Sequence, residues 1–502
     1  MSDLAGTTEP RLRDDPREDQ RGDSREDPRE DPRGDSREDP RDDGLWSAGR
    51  RALTIGLILN VTIVASEALA VSTIMPIVAR DLGGIDLYGW VFSGFFLGSL
   101  LGIVVAGMLI DRGSLARPFV LGIGLFAIGL LVGGLAPSMA ILVGARVIQG
   151  LGAGAIPAVA YVSIGRALPE RLRPRMFATL STAWVLPGVI GPTLAGVVAE
   201  SLHWRLVFLG LLPLIAVASA LTLPAIAAVG PATAAAGEAE HEVATSARRR
   251  LPLAVVLVIG AGLAVAGLSN LGPIPLVLIV AGVLIGTPAF ARLTPAGTLR
   301  AARGLPTTIL LRGLLTFAFF CADAYVPLAI QDWRGAPAVV SGLVFTASTL
   351  TWTGGAWIQA QRIDRIGPTR FLMAGFGIVI VGIVGFAAIL IPSVPLIVGI
   401  VTWAITGFGM GLSYSTLSLM VLREAPPAEQ GAATAGLQLS DVLGTALGTG
   451  IGGALIAFGA RSGSPGWVAL AGVFAIAATV AAAGLAITRR LTRGTSSVPA
   501  ID

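Results

Sequence analysis

Long apolar runs separated by short polar connections follow one another through most of this chain. A helix that crosses a membrane needs about 20 mostly apolar residues. By that rule the sequence predicts fourteen crossing helices, and their even number places both chain ends on one side of the membrane. The predicted segments are 52–79, 88–110, 117–136, 140–164, 174–200, 204–228, 252–268, 273–291, 306–330, 337–360, 370–391, 395–422, 431–458 and 467–487.

Composition supports this pattern. Of the 502 residues, 53% are hydrophobic and only 14% are charged, and the mean hydropathy is +0.76. A soluble globular protein normally carries about 25% charged residues. We therefore predict an all-α integral membrane protein with 14 transmembrane helices.

The arginines indicate the orientation. Most arginines outside the first fifty residues fall in the connections that share a side with the chain ends, and the opposite connections hold few. The positive-inside rule then predicts a multi-pass protein of the cell (plasma) membrane with both termini cytoplasmic. The net charge of +4 follows from this topology, so no nucleic-acid partner is needed to explain it.

The first fifty residues have a different character. The segment "RGDSREDPREDP" (21–32) is followed at once by "RGDSREDPRDDG" (33–44), a tandem repeat with nothing apolar to bury. Such a composition predicts a solvated, disordered tail.

Several kinds of chemistry are disfavoured. The single Cys321 permits no intramolecular disulfide, and His203 and His241 are the only histidines, so no metal cluster is expected. The chain has no lysine, and a standard nucleotide-binding loop needs one. We expect no catalytic residue, cofactor or ATP hydrolysis, and a monomer that works between the lipid bilayer, a small-molecule substrate and protons.

The chain also repeats itself. "IDRGSLARPF" (110–119) is echoed by "IDRIGPTRF" (363–371), and "QGLGAG" (149–154) by "TGFGMG" 257 positions later. Arg166 meets Arg423, and Gly196 meets Gly453, at the same offset. Parallel halves of this kind are typical of transporters that bind substrate between them near mid-membrane. The predicted divisions are a tail (1–50), an N-terminal six-helix bundle (51–228), a linker with an inserted helix pair (229–303), a C-terminal six-helix bundle (304–488) and a C-terminal tail (489–502).

Few ionisable residues lie inside the predicted spans: Glu67, Arg146, Arg312, Asp323 and Asp441. A charge at the bilayer centre costs about 2.5–3.5 kcal/mol on insertion scales, so it normally faces a cavity or a partner. Arg312 lies only a turn or two from the cytoplasmic end of its segment and can snorkel, so it is not taken as a functional residue. For the three acids, a buried pair that only fixes helix packing stays open as an alternative.

Helical spacing places polar residues on common faces. Asn60 and Glu67 share one face, Arg146 and Gln149 another, and a third stripe runs along one later helix. A polar stripe within a membrane helix lines a cavity or a protein interface. The predicted cavity residues are Asn60, Gln149, Trp184, Phe320, Asp323, Tyr325, Thr434, Gln438, Asp441 and Thr445, with plain packing as the alternative for the aromatic members.

Five motifs carry a family resemblance that covers nearly everything after residue 50. "GMLIDRGSLARP" (107–118) is similar to the loop between helices two and three of the major facilitator superfamily, with Ser114 in place of the usual glycine. "RVIQGLGAG" (146–154) resembles its fourth-helix motif and "GVIGPTLAG" (188–196) its fifth-helix antiporter motif. "EALAVSTIMP" (67–76) and "WRLVF" (204–208) resemble the fourteen-helix drug:proton antiporters, with Glu67 standing for an aspartate.

The resemblance implies a role for each matched residue. Glu67 and Arg146 would couple transport to protons. Gly107, Asp111, Arg112, Arg117 and their echoes Asp364, Arg365 and Arg370 would form the gating loops. The fifth helix, with Pro187, Gly188, Gly191, Pro192 and Gly196, would pack against its mate at 431–458 and form a moving interface.

The implied function is proton-coupled export of small hydrophobic or amphipathic compounds by alternating access. Two alternatives stay open. One is a carrier of the same fold that exports a lipid or an endogenous metabolite, or that works as a symporter. The other is a transporter-like sensor.

Overall fold

The computed structural model describes residues 44–47, 50–110, 114–229, 234–269, 273–426 and 429–492. The described residues belong to one compact unit. Helices make up almost all of the described ranges, and no strand occurs in them. The predicted all-α fold is confirmed.

The first half contains six predicted segments. Four are single helices, and the fifth and sixth are each interrupted, so that each contributes two helices. The bounds are α1 Arg51–Leu82, α2 Tyr88–Ile110, α3 Ala116–Gly134, α4 Met139–Ala167, α5 Arg173–Thr182, α6 Val185–Val198, α7 Arg205–Leu209 and α8 Leu211–Ala227.

The inserted pair and the second half follow. The inserted pair comprises α9 and α10, and the first segment of the second half is broken after α11. The bounds are α9 Ala234–Leu268, α10 Pro273–Leu293, α11 Leu305–Asp323, α12 Val326–Leu328, α13 Ala338–Ile366, α14 Pro368–Ala387, α15 Leu396–Glu424, α16 Gln430–Arg461 and α17 Gly466–Thr492.

Thirteen helical stretches of the described chain are long and apolar enough to cross a membrane. The remaining predicted segment is α13, whose 29 residues span about 43 Å at 1.5 Å per residue. Its hydroxyl, amide and charged side chains lower its mean hydropathy, but the helix is still long enough to cross a bilayer. Every predicted crossing segment therefore has a helical counterpart.

The inserted hairpin of α9 and α10 touches both halves. Its two helices approach closely at Gly260, where an added Cβ would lie 2.7 Å from Gly286 Cα. Close backbone approach through small residues is typical of membrane helix pairs. An apolar cluster joins the hairpin to α2 and α16, and its buried members include Leu97, Leu100, Leu257, Ala261, Leu443 and Ala446.

The halves meet through two related helix pairs, α6 with α13 and α2 with α16. Gly196 lies against the backbone of Ala338, and Gly453 lies against Gly89. The prediction that the fifth helix packs against 431–458 is therefore wrong. Helices α6 and α16 are counterparts in the two halves, so the two-fold relation turns the α6–α13 contact into the α16–α2 contact.

Polar contacts between the halves gather at one end of the bundle, where α1 ends and α2 begins. We call this end the opposite face, and the end that holds the start of α1 the terminal face. Gln331 Nε2 donates to Thr73 O at 2.8 Å, and Ala338 N donates to Glu200 Oε1 at 2.5 Å. Arg80 also pairs with Asp332 across the halves. The halves are thus closed on the opposite face.

Candidate functional site

The N-terminal half contains a sealed ion pair. Glu67 of α1 contacts Arg146 of α4, and their side chains are 0% and 3% exposed. Arg146 also donates to Gln149 Oε1 at 2.6 Å and to Val91 O at 3.2 Å. Its guanidinium carbon lies 4.2 Å from the centre of the Phe95 ring. The arginine charge is therefore held from several directions.

The Glu67 carboxylate makes fewer regular hydrogen bonds than the Arg146 guanidinium does. Gln149 lies beside the Glu67 carboxylate and interacts with it, although neither Glu67 Oε2 nor Gln149 Nε2 makes a hydrogen bond of regular geometry within the described residues. The Glu67 carboxylate is thus held by Arg146 and Gln149, and its contact with Gln149 is of irregular geometry.

The C-terminal half contains a second ion pair, between Arg312 of α11 and Asp441 of α16. Arg312 Nε lies 3.2 Å from Asp441 Oδ1, and the Tyr414 hydroxyl donates to Asp441 Oδ2 at 2.9 Å. Arg312 donates to Tyr414 O at 2.8 Å and to Ser418 Oγ at 3.2 Å. Its guanidinium carbon lies 3.0 Å from the centre of the Tyr414 ring.

The expectation that Arg312 snorkels is therefore wrong, since the residue is only 4% exposed. Acceptors from α15 and α16 surround its guanidinium, so it needs no contact with water at the membrane edge.

A cavity of about 130 Å³ lies beside this second pair. Three residues of the predicted polar stripe line it, whereas Thr445 is buried and donates to the backbone of Asp441. Tyr161 of α4 interacts electrostatically with Arg312, so the second pair faces the N-terminal half. The cavity lining is Arg312, Ser418, Val421, Leu422, Thr434, Leu437, Gln438 and Asp441.

Six aromatic rings link the two arginines. Arg312 stacks on the first ring and Arg146 on the last. Successive ring centres are 5.4, 5.5, 5.1, 6.2 and 5.4 Å apart. We call this series the ring chain, and in order it comprises Tyr414, Trp352, Phe319, Phe320, Phe96 and Phe95. It crosses between the halves at Phe320 and Phe96, and of its members the sequence had indicated only Phe320.

Four other predicted cavity residues lie elsewhere. Asn60 is buried between α1 and α8, where it donates to Thr222 Oγ1 at 2.8 Å. Tyr325 is fully buried and donates to Thr449 O at 2.5 Å. Trp184 is 48% exposed just before α6, and Asp323 is half-buried next to the indole of Trp403. The structure does not bring these four side chains together.

The gating-loop residues are only partly described. Asp111 and Arg112 lie outside the described residues, and Arg117 is exposed near the start of α3. Gly107 lies near the end of α2, and a Cβ added there would meet nothing within 4 Å.

In the equivalent loop of the C-terminal half, Asp364 pairs with Arg423 at 3.0 Å, which joins the ends of α13 and α15. Arg365 and Arg370 are exposed.

The antiporter motif lies on α6 at the interface with α13. Pro187, Gly188, Pro192 and Gly196 are buried. Gly188 lies against Thr349, and a Cβ at Gly196 would be 3.1 Å from the carbonyl carbon of Ala338. Gly191 differs, because a Cβ there would meet nothing within 4 Å. The close approach of the two helices therefore depends on the first and last of these glycines.

The fold consists of two related helical halves, and each half buries a charged pair between helices of membrane-spanning length. This arrangement is that of a multi-pass membrane transporter. The sequence profile of the Major Facilitator Superfamily matches residues 56–435 and 308–500, and the chain belongs to this family. The family resemblance is thereby confirmed, and the protein is a transporter of small molecules rather than an enzyme.

Known proteins match over most of the chain. A probable multidrug-efflux transporter of Mycobacterium tuberculosis is 25% identical over 459 residues, which cover 88% of this chain and 94% of the relative. A multidrug transporter protein of Bacillus subtilis is 25% identical over 426 residues, which cover 83% and 76%. The crystal structure of an auto-inhibited peptide transporter of the POT family matches with a TM-score of 0.64 at 16% identity, over 88% of this chain and 97% of that one. That likeness supports the fold alone.

Proposed function

We propose that this protein exports small hydrophobic or amphipathic compounds across the plasma membrane in exchange for protons, by alternating access. The observation that carries the proposal is the sealed pair of Glu67 and Arg146 beneath the closed opposite face. The similarity to multidrug-efflux proteins, at 25% identity, supports the direction and the substrate class.

The proposed coupling uses protonation of the buried Glu67 carboxylate. While Arg146 contacts the carboxylate, the negative charge is balanced and no proton is needed. When the transport cycle shifts α1 against α4 within the N-terminal half and the contact lengthens, the buried charge is left without its partner, which is costly. Binding a proton removes that cost. Glu67 therefore carries a proton in one conformation and pairs with Arg146 in the other.

The proposed orientation places the terminal face in the cytoplasm, as the arginine distribution indicates. The described conformation is closed on the opposite face and holds its cavity beside Asp441. In this orientation it is the state that loads substrate from the cytoplasmic side, and rocking of the halves would then expose the substrate outside.

The test compares Glu67→Gln with Glu424→Gln in proteoliposomes. Glu424 lies at the end of α15, where it accepts a hydrogen bond from Thr308 at 2.9 Å, so its variant controls for losing a glutamate charge. We expect Glu67→Gln to exchange substrate between the two sides but to lose uphill export driven by a proton gradient. Full gradient-driven export by a well-folded Glu67→Gln protein would contradict the proposal. Proton flux in the same direction as substrate would indicate a symporter instead.

A further inference from the structure

We propose that the end of the α9–α10 hairpin at the terminal face is a docking surface for the headgroups of anionic phospholipids. Six arginines lie around this end in the sequence, and we call them the hairpin arginines: Arg248, Arg249, Arg250, Arg292, Arg300 and Arg303. The inference concerns the lipid partner of the inserted pair, so it depends neither on the exported compound nor on proton coupling.

The charge around the hairpin has one sign. Residues 243–322 contain no aspartate or glutamate, and their arginines are the hairpin arginines and Arg312. Arg312 pairs with Asp441, so its charge is balanced within the C-terminal half. Glu242 lies six residues before Arg248, or about 9 Å further along α9 from its membrane stretch. The sequence therefore supplies the hairpin end with positive charge and with no acid of its own.

The packing of the hairpin brings these arginines to one end. Gly260 lies against Gly286, and Gly267 lies against Ile279. In this antiparallel register Arg250 is level with the turn that follows α10. The arginines that precede the membrane stretch of α9 and those that follow α10 are thus at the same membrane boundary.

The turn between α10 and α11 has a defined shape. Thr298 N donates to Pro295 O at 3.2 Å, and Ala302 N donates to Gly297 O at 3.1 Å. Ala301 has a φ of +50°, which among the described residues other than glycine is the one positive value. A residue keeps such a conformation when the surrounding structure holds it. Arg300 and Arg303 are therefore carried by an ordered turn.

Three hairpin arginines are open to a partner. Arg292, Arg300 and Arg303 are exposed, and their side chains form no ion pair or hydrogen bond within the part of the chain that the structure describes. On the same face Arg423 is paired, since it lies 3.0 Å from Asp364. A guanidinium binds phosphate oxygens through two parallel N–H groups. The open arginines therefore match the chemistry of a phosphodiester.

The position of the cluster favours a lipid as the source of that phosphate. The apolar stretch of α9 begins at Leu251, next to Arg250, and that of α10 ends at Leu293, next to Arg292. Basic clusters at the end of a membrane helix attract anionic lipid headgroups. The flank of α10 offers an apolar surface to acyl chains, because Leu284 is 68% exposed. Headgroup and chain of one lipid thus both have a surface on the hairpin.

The alternative is the general positive bias of this face, which needs no particular docking surface. It predicts that every connection rich in exposed arginines on this face holds anionic lipid equally well. A matched control distinguishes the two. Arg362, Arg365 and Arg370 are also exposed on the terminal face, in the connection between α13 and α14.

The test is native mass spectrometry of the full chain in mild detergent, titrated with palmitoyl-oleoyl phosphatidylglycerol or phosphatidylcholine. The test variant replaces Arg292, Arg300 and Arg303 by glutamine. The control variant replaces the three arginines of the α13–α14 connection by glutamine and so removes the same charge. The affinity for the first bound lipid is compared between the three proteins.

We expect the unaltered protein to prefer phosphatidylglycerol over phosphatidylcholine. Because one arginine near a membrane surface contributes about fivefold, and screening lowers this, the test variant should bind phosphatidylglycerol at least about tenfold more weakly. The control variant should lose less than about threefold. Equal losses in the two variants, or no preference in the unaltered protein, would overturn the docking surface.

Two further measurements complete the test. Inorganic phosphate at the concentration of the lipid should not displace phosphatidylglycerol, and displacement would indicate a site for free anions instead. If the triple variant does not fold, Arg300→Gln alone decides: we expect a loss of about threefold or more, and an unchanged affinity would contradict the proposal. Glu67→Gln should bind the lipid as the unaltered protein does, so failure of the proposed coupling leaves this result intact.

Discussion

Arg312 holds Asp441 at the edge of a cavity, with Nε 3.2 Å from Oδ1. The ion pair of the other half, Glu67 with Arg146, is sealed. The Asp441 side chain is 17% exposed, whereas that of Glu67 is 0% exposed. The two acids are therefore expected to differ in their contact with water in the described conformation.

The first prediction tests this difference by thiol labelling. In a Cys321→Ser background, Asp441→Cys should react with a water-soluble thiol reagent added from the terminal face, because residue 441 lines the cavity. Glu67→Cys should react at least about tenfold more slowly while the opposite face is closed, since reaction requires access. Mass spectrometry of the intact protein measures both rates. An unreactive residue 441 in every conformation would mean that Asp441 only packs.

The second prediction concerns the cost of removing the Asp441 charge. Asp441→Asn leaves Arg312 without its carboxylate, although Tyr414 and Ser418 still hold the guanidinium. Because these contacts remain and the site is partly open, we expect a loss of about 1–2 kcal/mol in stability, below the value for a fully buried pair. The altered cavity should also change which substrates are exported. Thermal unfolding and a substrate panel check both effects, and Gln438→Glu, which adds a charge to the same cavity, is the companion variant.

The third prediction concerns the contacts that close the opposite face. Arg80 pairs with Asp332 across the halves, whereas its neighbour Asp81 pairs with Arg205 and Trp204 within one half. Removing an exposed pair of this kind changes a free energy by about 0.2–1 kcal/mol. Arg80→Ala should therefore raise the population open at this face by about 1.4- to fivefold. Labelling of Thr73→Cys in the Cys321→Ser background reports the opening, and Asp81→Ala should leave that labelling unchanged.

The fourth prediction distinguishes two glycines of α6. Gly196→Val would press its side chain into the backbone of Ala338, whereas Gly191→Val meets open space. We expect Gly196→Val to lose at least about 90% of its transport rate, because the α6–α13 contact can no longer close. Gly191→Val should transport at nearly the normal rate and should melt within about 2 °C of the unaltered protein. Equal transport rates for the two variants would contradict a close-packed moving interface.

The helices could be predicted because their signal is local. Each apolar run carries its own evidence, and even α13 was found despite its polar residues. The pairing of helices was harder to predict. The repeat identified α6 and α16 as equivalent helices of the two halves. Equivalent helices do not have to touch each other. Which helices are in contact is decided by the position of the two-fold axis between the halves.

The site was predicted where one helix carries the pattern, or where the motif resemblance joined two helices, as it did for Glu67 and Arg146. The spacing of Arg146 and Gln149 placed them on one face, and Gln149 accepts a hydrogen bond from Arg146 beside the sealed pair. The environment of Arg312 could not be inferred, because its acceptors come from α15 and α16, more than a hundred residues later. The ring chain was missed for the same reason, since its six rings come from four separate helices.

The inserted hairpin gives the two inter-half contacts unequal surroundings. Helix α9 lies against α2 and α16, α10 packs on α9, and the hairpin thereby covers that contact with protein. On α6, by contrast, Leu186, Ile190 and Leu194 are 61%, 51% and 56% exposed. Lateral pressure and acyl-chain order in the bilayer therefore act directly on α6 beside α13, while they reach the α2–α16 contact through the hairpin. Changes in lipid composition should alter the transport cycle mainly from one side of the molecule.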